Sequence, residues 1–408
     1  MDTLRGLGVV FMVQLHTSHG WLMPGARSGD IWTATQFFGG LAAPIFLTLA
    51  GVSLGLQWGR AESTGRSLQR RRHIARGLQL VVLGYALRLQ MWVIDSGAYG
   101  HSISYVPIAC LLAAYALAYC ASAALDTQPR RAAQYGAAAL AVWLAGIALI
   151  HAREPERLRG LLRVDVLQCI GASLVFLNLV TARSEQRAPS RSALFAWSMA
   201  IGLATHWLRT FTPTSWPEGV AAYLTQWPAP AGKSVVGLFP LFPWTAYACA
   251  GAAFGLHWSR ARAQGSDLET RLVTGMALGA WLALLTSEAW PPMYRFTRDY
   301  AWLAPLIRLS YKLGLVLMLS GVALAFARAT TPFLAPLRSL GRASLLVYWV
   351  HLEFAFGAAA RPLLHRLDLA GWSVATGALV VAMWLLAVLR ERTARSGWSL
   401  QRRRIATG

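Results

Sequence analysis

Acidic side chains are scarce in this sequence. Asp and Glu number 17 against 38 Lys and Arg in 408 residues, and charged residues of both signs make up only 13%. A chain so poor in charge does not read as an ordinary soluble globule. With 56% hydrophobic residues and a mean hydropathy of +0.43, it reads as an integral membrane protein of several spans. Cysteine is scarcer still. Cys110, Cys120, Cys169 and Cys249 lie in apolar runs without metal-ligand spacing, so neither a disulfide framework nor a metal site is expected. No stretch repeats another and none reads as a linker between soluble domains, so residues 1–408 are taken as one transmembrane domain. The net charge of +21 would suit nucleic acid, but no soluble basic domain exists to bind it. The basic residues are nearly all Arg in short loops, which a positive-inside bias explains, and no nucleic-acid partner is expected.

What the sequence has in plenty is apolar runs of about twenty residues, the length that crosses a bilayer as a helix. About twelve such windows predict an all-α bundle: 4–22, 36–58, 76–94, 103–124, 133–150, 164–181, 193–211, 235–258, 272–289, 303–327, 342–360 and 371–389. The first is long enough, and followed closely enough by the second, to be read as a retained span rather than a cleaved signal. Loops 59–75, 125–132, 182–192, 259–271, 328–341 and the tail carry most of the Arg, which predicts that they and both termini are cytoplasmic. The loop 151–163, with four Arg partly offset by Glu154 and Glu156, runs against that pattern.

Ionisable residues inside spans are costly and therefore mark candidate sites. The first span, LRGLGVVFMVQLHTSHGW, carries Arg5, His16 and His19. Eleven residues separate Arg5 from His16, which returns a helix to nearly the same face about 16 Å further along its axis. Arg suits phosphate as a bidentate donor, and His is the side chain best suited to take a proton near neutral pH. The plainer readings are a snorkelling Arg and a helix–helix hydrogen bond from the His. His19 is either a second catalytic group or a polar residue at the rim.

In GRASLLVYWVHLEF, Tyr348 and His351 share a helix face, while Glu353 points elsewhere. Arg308 and Lys312 form an i, i+4 cationic pair that needs counter-charges or an anionic ligand, with Glu288 and Asp299 the nearest carboxylates in sequence. Asp30 and Asp165 are further groups that could orient a histidine. Loops 211–233 and 290–302 are rich in Pro and aromatics, and rings such as Trp216 and Trp227 could stack on a sugar or form an interfacial belt.

Several of these stretches, in order along the chain, resemble the heparan-α-glucosaminide N-acetyltransferase-like family in its bacterial branch. They are MDTLRGLGVVFMVQLH, APIFLTLAGVSLGL, RVDVLQCIGASL, FPLFPWTAYACAGAAFG and GRASLLVYWVHL. The Arg5-to-His16 spacing is also similar to the arginine–ten residues–histidine motif of bacterial inner-membrane O-acyltransferases. The resemblance implies a multi-pass inner-membrane transferase that moves an acyl group, in the first instance acetyl, from cytoplasmic acetyl-CoA to a glycan or similar acceptor. On that reading His16 is catalytic with His19 and His351 as further candidates. Arg5, Arg71 and Arg72 hold the donor's phosphates, and Arg308, Lys312, Trp216 and Trp227 meet the acceptor. His16 would act either as general base or as the nucleophile of an acyl-histidine. A second copy of the chain is kept as a candidate partner. The rival reading is a secondary transporter or flippase without covalent chemistry, in which the same residues bind a small polar or anionic substrate.

Overall fold

The computed structural model describes residues 1–60, 66–98, 105–153, 155–181, 189–211, 216, 218–225, 237–265, 268–329 and 334–406. Among them all regular structure is helical, as an apolar environment demands of a backbone that must satisfy its own polar groups. The helices are α1 (Asp2–Trp21), α2 (Gly29–Gly39), α3 (Ala42–Arg60), α4 (Arg66–Ala98), α5 (Tyr105–Ala124), α6 (Pro129–His151) and α7 (Pro155–Leu161). There follow α8 (Val166–Val180), α9 (Arg191–Phe211), α10 (Glu218–Leu224), α11 (Leu241–Ala263), α12 (Leu268–Leu285) and α13 (Pro291–Asp299). The last are α14 (Ala304–Ala329), α15 (Ala335–Arg342), α16 (Ser344–Ala355) and α17 (Leu369–Ala406).

Each of the twelve apolar windows falls on a helix. The window 36–58 is broken by a turn at Gly40 and Leu41 into α2 and α3, and the window 342–360 shortens to α16. Six helical runs are long and apolar enough to cross a membrane by length and composition: Gly29–Arg60, Ser67–Ile94, Tyr105–Ala124, Pro129–His151, Ala304–Phe326 and Leu369–Ala394. Shorter apolar helices, Val166–Val180, Val273–Leu285 and Ser344–Ala355, add to them. The chain is thus an all-α, multi-pass integral membrane protein. Helix α1 stands outside the six, in keeping with the Asp2, Arg5, His16 and His19 it carries.

The chain divides into two compact units. The first comprises Met1–Phe46, Leu272–Ala277 and Val316–Gly408. Its core gathers Val9, Val13, Trp21, Val347, Trp372 and Met383 around α1, α16 and α17. Lipid is as apolar as these side chains, so close approach and polar ties must hold the helices together. Glycine provides the approach: a Cβ at Gly6 would meet the Leu337 carbonyl oxygen, one at Gly20 that of Ala355, and one at Gly341 that of Asp2. Polar ties complete it. The Thr17 and Thr376 hydroxyls lie 2.8 Å apart, Trp372 Nε1 donates to Thr17 Oγ1 at 3.1 Å, and Trp21 Nε1 donates to the Phe354 carbonyl at 3.0 Å.

The second unit comprises Leu47–Arg271 and Leu278–Leu315. Here Gly51 and Gly55 of α3 meet backbone of α11, where Gly251 and Gly255 reciprocate. Gly77 of α4 and Gly171 of α8 face each other in the same way. Ser173 bonds Thr245 at 2.9 Å, and Ser198 donates to the Ala246 carbonyl at 2.9 Å. Asp165 caps α8 in a reciprocal capping box with Gln168 and also takes the guanidinium of Arg88.

Candidate active site

The first unit brings His16 and His351 together across a sequence separation of 335 residues: His16 Nδ1 lies 2.8 Å from His351 Nε2. The ring planes differ by only 4° and the centroids are 5.1 Å apart. That separation is too long for stacking. It is what the nitrogen-to-nitrogen distance plus the radius of each ring requires when the rings lie edge to edge in one plane. The bond therefore runs along the ring lone-pair direction, the strong geometry for N–H···N.

The backbone decides which nitrogen carries which hydrogen. His351 Nδ1 lies 2.8 Å from the Val347 carbonyl oxygen, one turn back on α16. A carbonyl only accepts, so His351 Nδ1 holds a hydrogen and donates it. In the neutral ring Nε2 is then an acceptor, and His16 Nδ1 must be the donor to it. In the neutral form of His16 the lone pair is then on Nε2. His351 is fully buried, packed edge-on against Tyr348 at 5.9 Å between centroids, while His16 is half-buried with Phe356 at 5.6 Å. An inner histidine thus fixes the ring of an outer one. A base positioned by a second group is the general form of histidine-assisted acyl transfer.

The other residues of α1 take separate places. The helix is continuous from Asp2 to Trp21, so Arg5 does lie on nearly the face of His16, about 16 Å away along the axis. Arg5 Nη1 is held at 3.2 Å by Asp2 Oδ1, one turn back. His19 is exposed and donates from Nε2 to Gln36 Oε1 at 3.0 Å, beside the Trp32 ring. It lies one turn beyond His16 on α1. The end of α1 is clamped by Arg27, whose Nη2 donates to the His19 and Leu22 carbonyls and to His365 Nδ1 at 2.6 Å. Asp30 is exposed in the first turn of α2.

The second unit holds the remaining candidates. Arg71 and Arg72 are exposed near the start of α4, with Arg72 3.4 Å from Asp126. Arg308 pairs with Glu288 at 3.1 Å, whereas Asp299 pairs with its neighbour Arg298. Lys312 Nζ lies 5.9 Å from the centre of the Trp244 ring, a cation–π contact. Trp216 is exposed, and Trp227 lies outside the described residues. Asp165 is spent on Arg88 and the α8 cap and, among the described residues, orients no histidine.

Sequence reasoning found His16 and His351 but not their contact, because helical periodicity says nothing about residues 335 apart. It missed Thr17, Thr376 and Trp372, which carry no charge to signal them. It also missed Arg88, an Arg inside the window 76–94 that could have been matched to the lone Asp165 of the window 164–181. Among the described residues no group of three His, Cys, Asp or Glu gathers to hold a metal ion.

Comparison with known families places one match on the chain. The model of the heparan-alpha-glucosaminide N-acetyltransferase catalytic region matches residues 1–99 and 102–289, more than half of the sequence. It covers Arg5, His16, Arg71, Arg72, Trp216 and Trp227, and stops before Arg308, Lys312 and His351. No curated protein and no solved structure matches the chain.

Proposed function

The chain belongs to the heparan-alpha-glucosaminide N-acetyltransferase catalytic family, and we propose that it transfers an acyl group, acetyl in the first instance, from acyl-CoA to a glycan or similar acceptor at the membrane. The family name points to an amino sugar as the acceptor. The observation that carries the reading is the histidine pair, in which His351 orients His16 so that Nε2 bears the lone pair.

His16 Nε2 takes the proton of the acceptor amine or hydroxyl as that atom attacks the thioester carbonyl. The bond to sulfur breaks and the coenzyme thiolate leaves, to be reprotonated from the imidazolium. His351 Nε2 accepts the hydrogen bond of His16 Nδ1 throughout, and that bond strengthens when His16 becomes cationic. The same Nε2 would be the attacking atom if an acyl-histidine forms first.

Arg5 is assigned to the donor's phosphates, since its guanidinium lies on the face of His16 at a distance matching an extended pantetheine arm. Asp2 holds it in place meanwhile. Arg71 and Arg72, exposed near the start of α4 in the second unit, are kept as donor-binding candidates. Arg308, Lys312, Trp216 and Trp227 are assigned to the acceptor, and His19 to the rim of the site. The whole of residues 1–408 serves as one transferase domain, in a bacterial inner membrane with both termini cytoplasmic.

Two measurements test this. Purified protein in detergent should bind acetyl-CoA saturably, more weakly in Arg5→Ala. It should acetylate a glucosaminide acceptor, and His16→Ala should not. A folded protein that binds no acyl-CoA overturns the reading.

A further inference from the structure

We infer that the second unit carries a site for the headgroup of an anionic phospholipid, at the end of the bundle where α9 begins and α11 finishes. A cavity of about 480 Å³ opens there, lined by Ser190, Arg191, Phe195, Phe254, His257 and Arg260 among others. Every charged residue lining it, among the described residues, is basic. Arg191 Nη1 donates to His257 Nδ1 at 2.7 Å, which sets that imidazole as an acceptor on this side and holds the guanidinium at the cavity. One of five guanidinium hydrogens is used in that bond, and the others suit a phosphate.

The end of α9 adds to the same field. Ser190 precedes its first turn, and the 21-residue helix presents its positive pole there. Loops 182–192 and 259–271, which flank the cavity in sequence, belong to the Arg-rich set expected at the cytoplasmic surface. Basic pockets between transmembrane helices at that surface are suited to anionic lipid headgroups.

Charge alone would admit any phosphate. The wall distinguishes a lipid. Phe195 and Phe254 both line the cavity and meet edge to face at 5.7 Å, and Phe195 remains 40% exposed. A soluble anion would leave these rings uncovered. A phospholipid places its phosphate between Arg191 and Arg260 and lays an acyl chain on the rings below.

The test is lipid retention by the full chain. Delipidated protein is titrated with phosphatidylglycerol or phosphatidylcholine and read by native mass spectrometry and thermal melting. The wild type should prefer phosphatidylglycerol. An Arg191→Ala/Arg260→Ala variant should bind it roughly thirtyfold more weakly, while Arg191→Lys/Arg260→Lys keeps the preference. Wild-type protein without a preference, or an alanine variant that keeps it, overturns the inference. Inorganic phosphate or diphosphate protecting the wild type as well as phosphatidylglycerol also overturns it, in favour of a soluble-anion site. Acetyl-CoA binding unchanged in the alanine variant separates this site from the proposed donor site.

Discussion

Both units hide a polar pair among apolar helices, and the two pairs are built to opposite ends. In the second unit Arg88 and Asp165 are ionised partners, and Asp165 also takes the backbone of α8 in its capping box. Its oxygens are spent on structure. In the first unit His16 and His351 are joined in a line of hydrogen bonds that starts at the Val347 carbonyl and runs through both rings. A buried ion pair consumes its charge, whereas the histidine pair retains a base. A charge inside a span marks a site worth examining, but the satisfaction of its partners decides whether it is structural or reactive.

The comparison breaks first at His16. Replacing it with Ala should lower transfer by roughly 10²–10⁴-fold, the contribution of a positioned general base, with the thermal melting point little changed. Activity within a few-fold of wild type would remove His16 from the chemistry. Arg88→Ala should do the reverse, costing about 3–5 kcal/mol because it strands a buried carboxylate, while a double replacement of Arg88 and Asp165 by Leu should recover much of the loss. Thermal melting of the single and double variants decides this. An Arg88→Ala protein that melts normally but transfers nothing would move that pair to the reactive side and end the contrast.

His351 gives a finer test. His351→Ala removes the acceptor for His16 Nδ1 and should reduce kcat on the order of a hundredfold, between the loss of a base and the loss of one hydrogen bond. His351→Gln offers an amide oxygen to the same hydrogen and should restore part of the rate. Equal activity of the Ala and Gln variants would mean that His351 does not orient His16.

The sequence made the architecture legible because spans announce themselves by length and hydropathy, and all twelve windows lie on helices. It also made Arg5 and His16 legible, since one continuous helix obeys simple periodicity. Breaks were less readable. The turn at Gly40 and Leu41 is marked by the Gly39–Gly40 pair and by Pro44 just beyond, signals that a reading by hydropathy alone passes over. Partners across the bundle were not readable at all. Glu288 was correctly near Arg308 because twenty residues connect them through one hairpin, but Asp165 could equally have been given to a histidine until Arg88 was seen against it. The family match likewise reaches His16 and ends before His351, so that contact rests on geometry alone.

The smallest expected effect sharpens the contrast within the second unit. Arg308 and Glu288 form an ion pair like Arg88 and Asp165, but the Arg308 side chain is 63% exposed and the Glu288 side chain 30% exposed. Exposed pairs contribute about 0–1 kcal/mol, because water solvates either partner left alone. Arg308→Ala should therefore shift the melting point by no more than a degree or two for a chain this size. If Arg308 meets the acceptor, the same variant should raise KM for the acceptor several-fold while leaving acetyl-CoA affinity and kcat nearly unchanged, the signature of lost uniform binding. A kinetic titration of acceptor at saturating donor reads both. A large loss of stability would mean that exposure had misjudged the pair, and an unaltered KM would turn the acceptor test to Lys312, over its Trp244 ring.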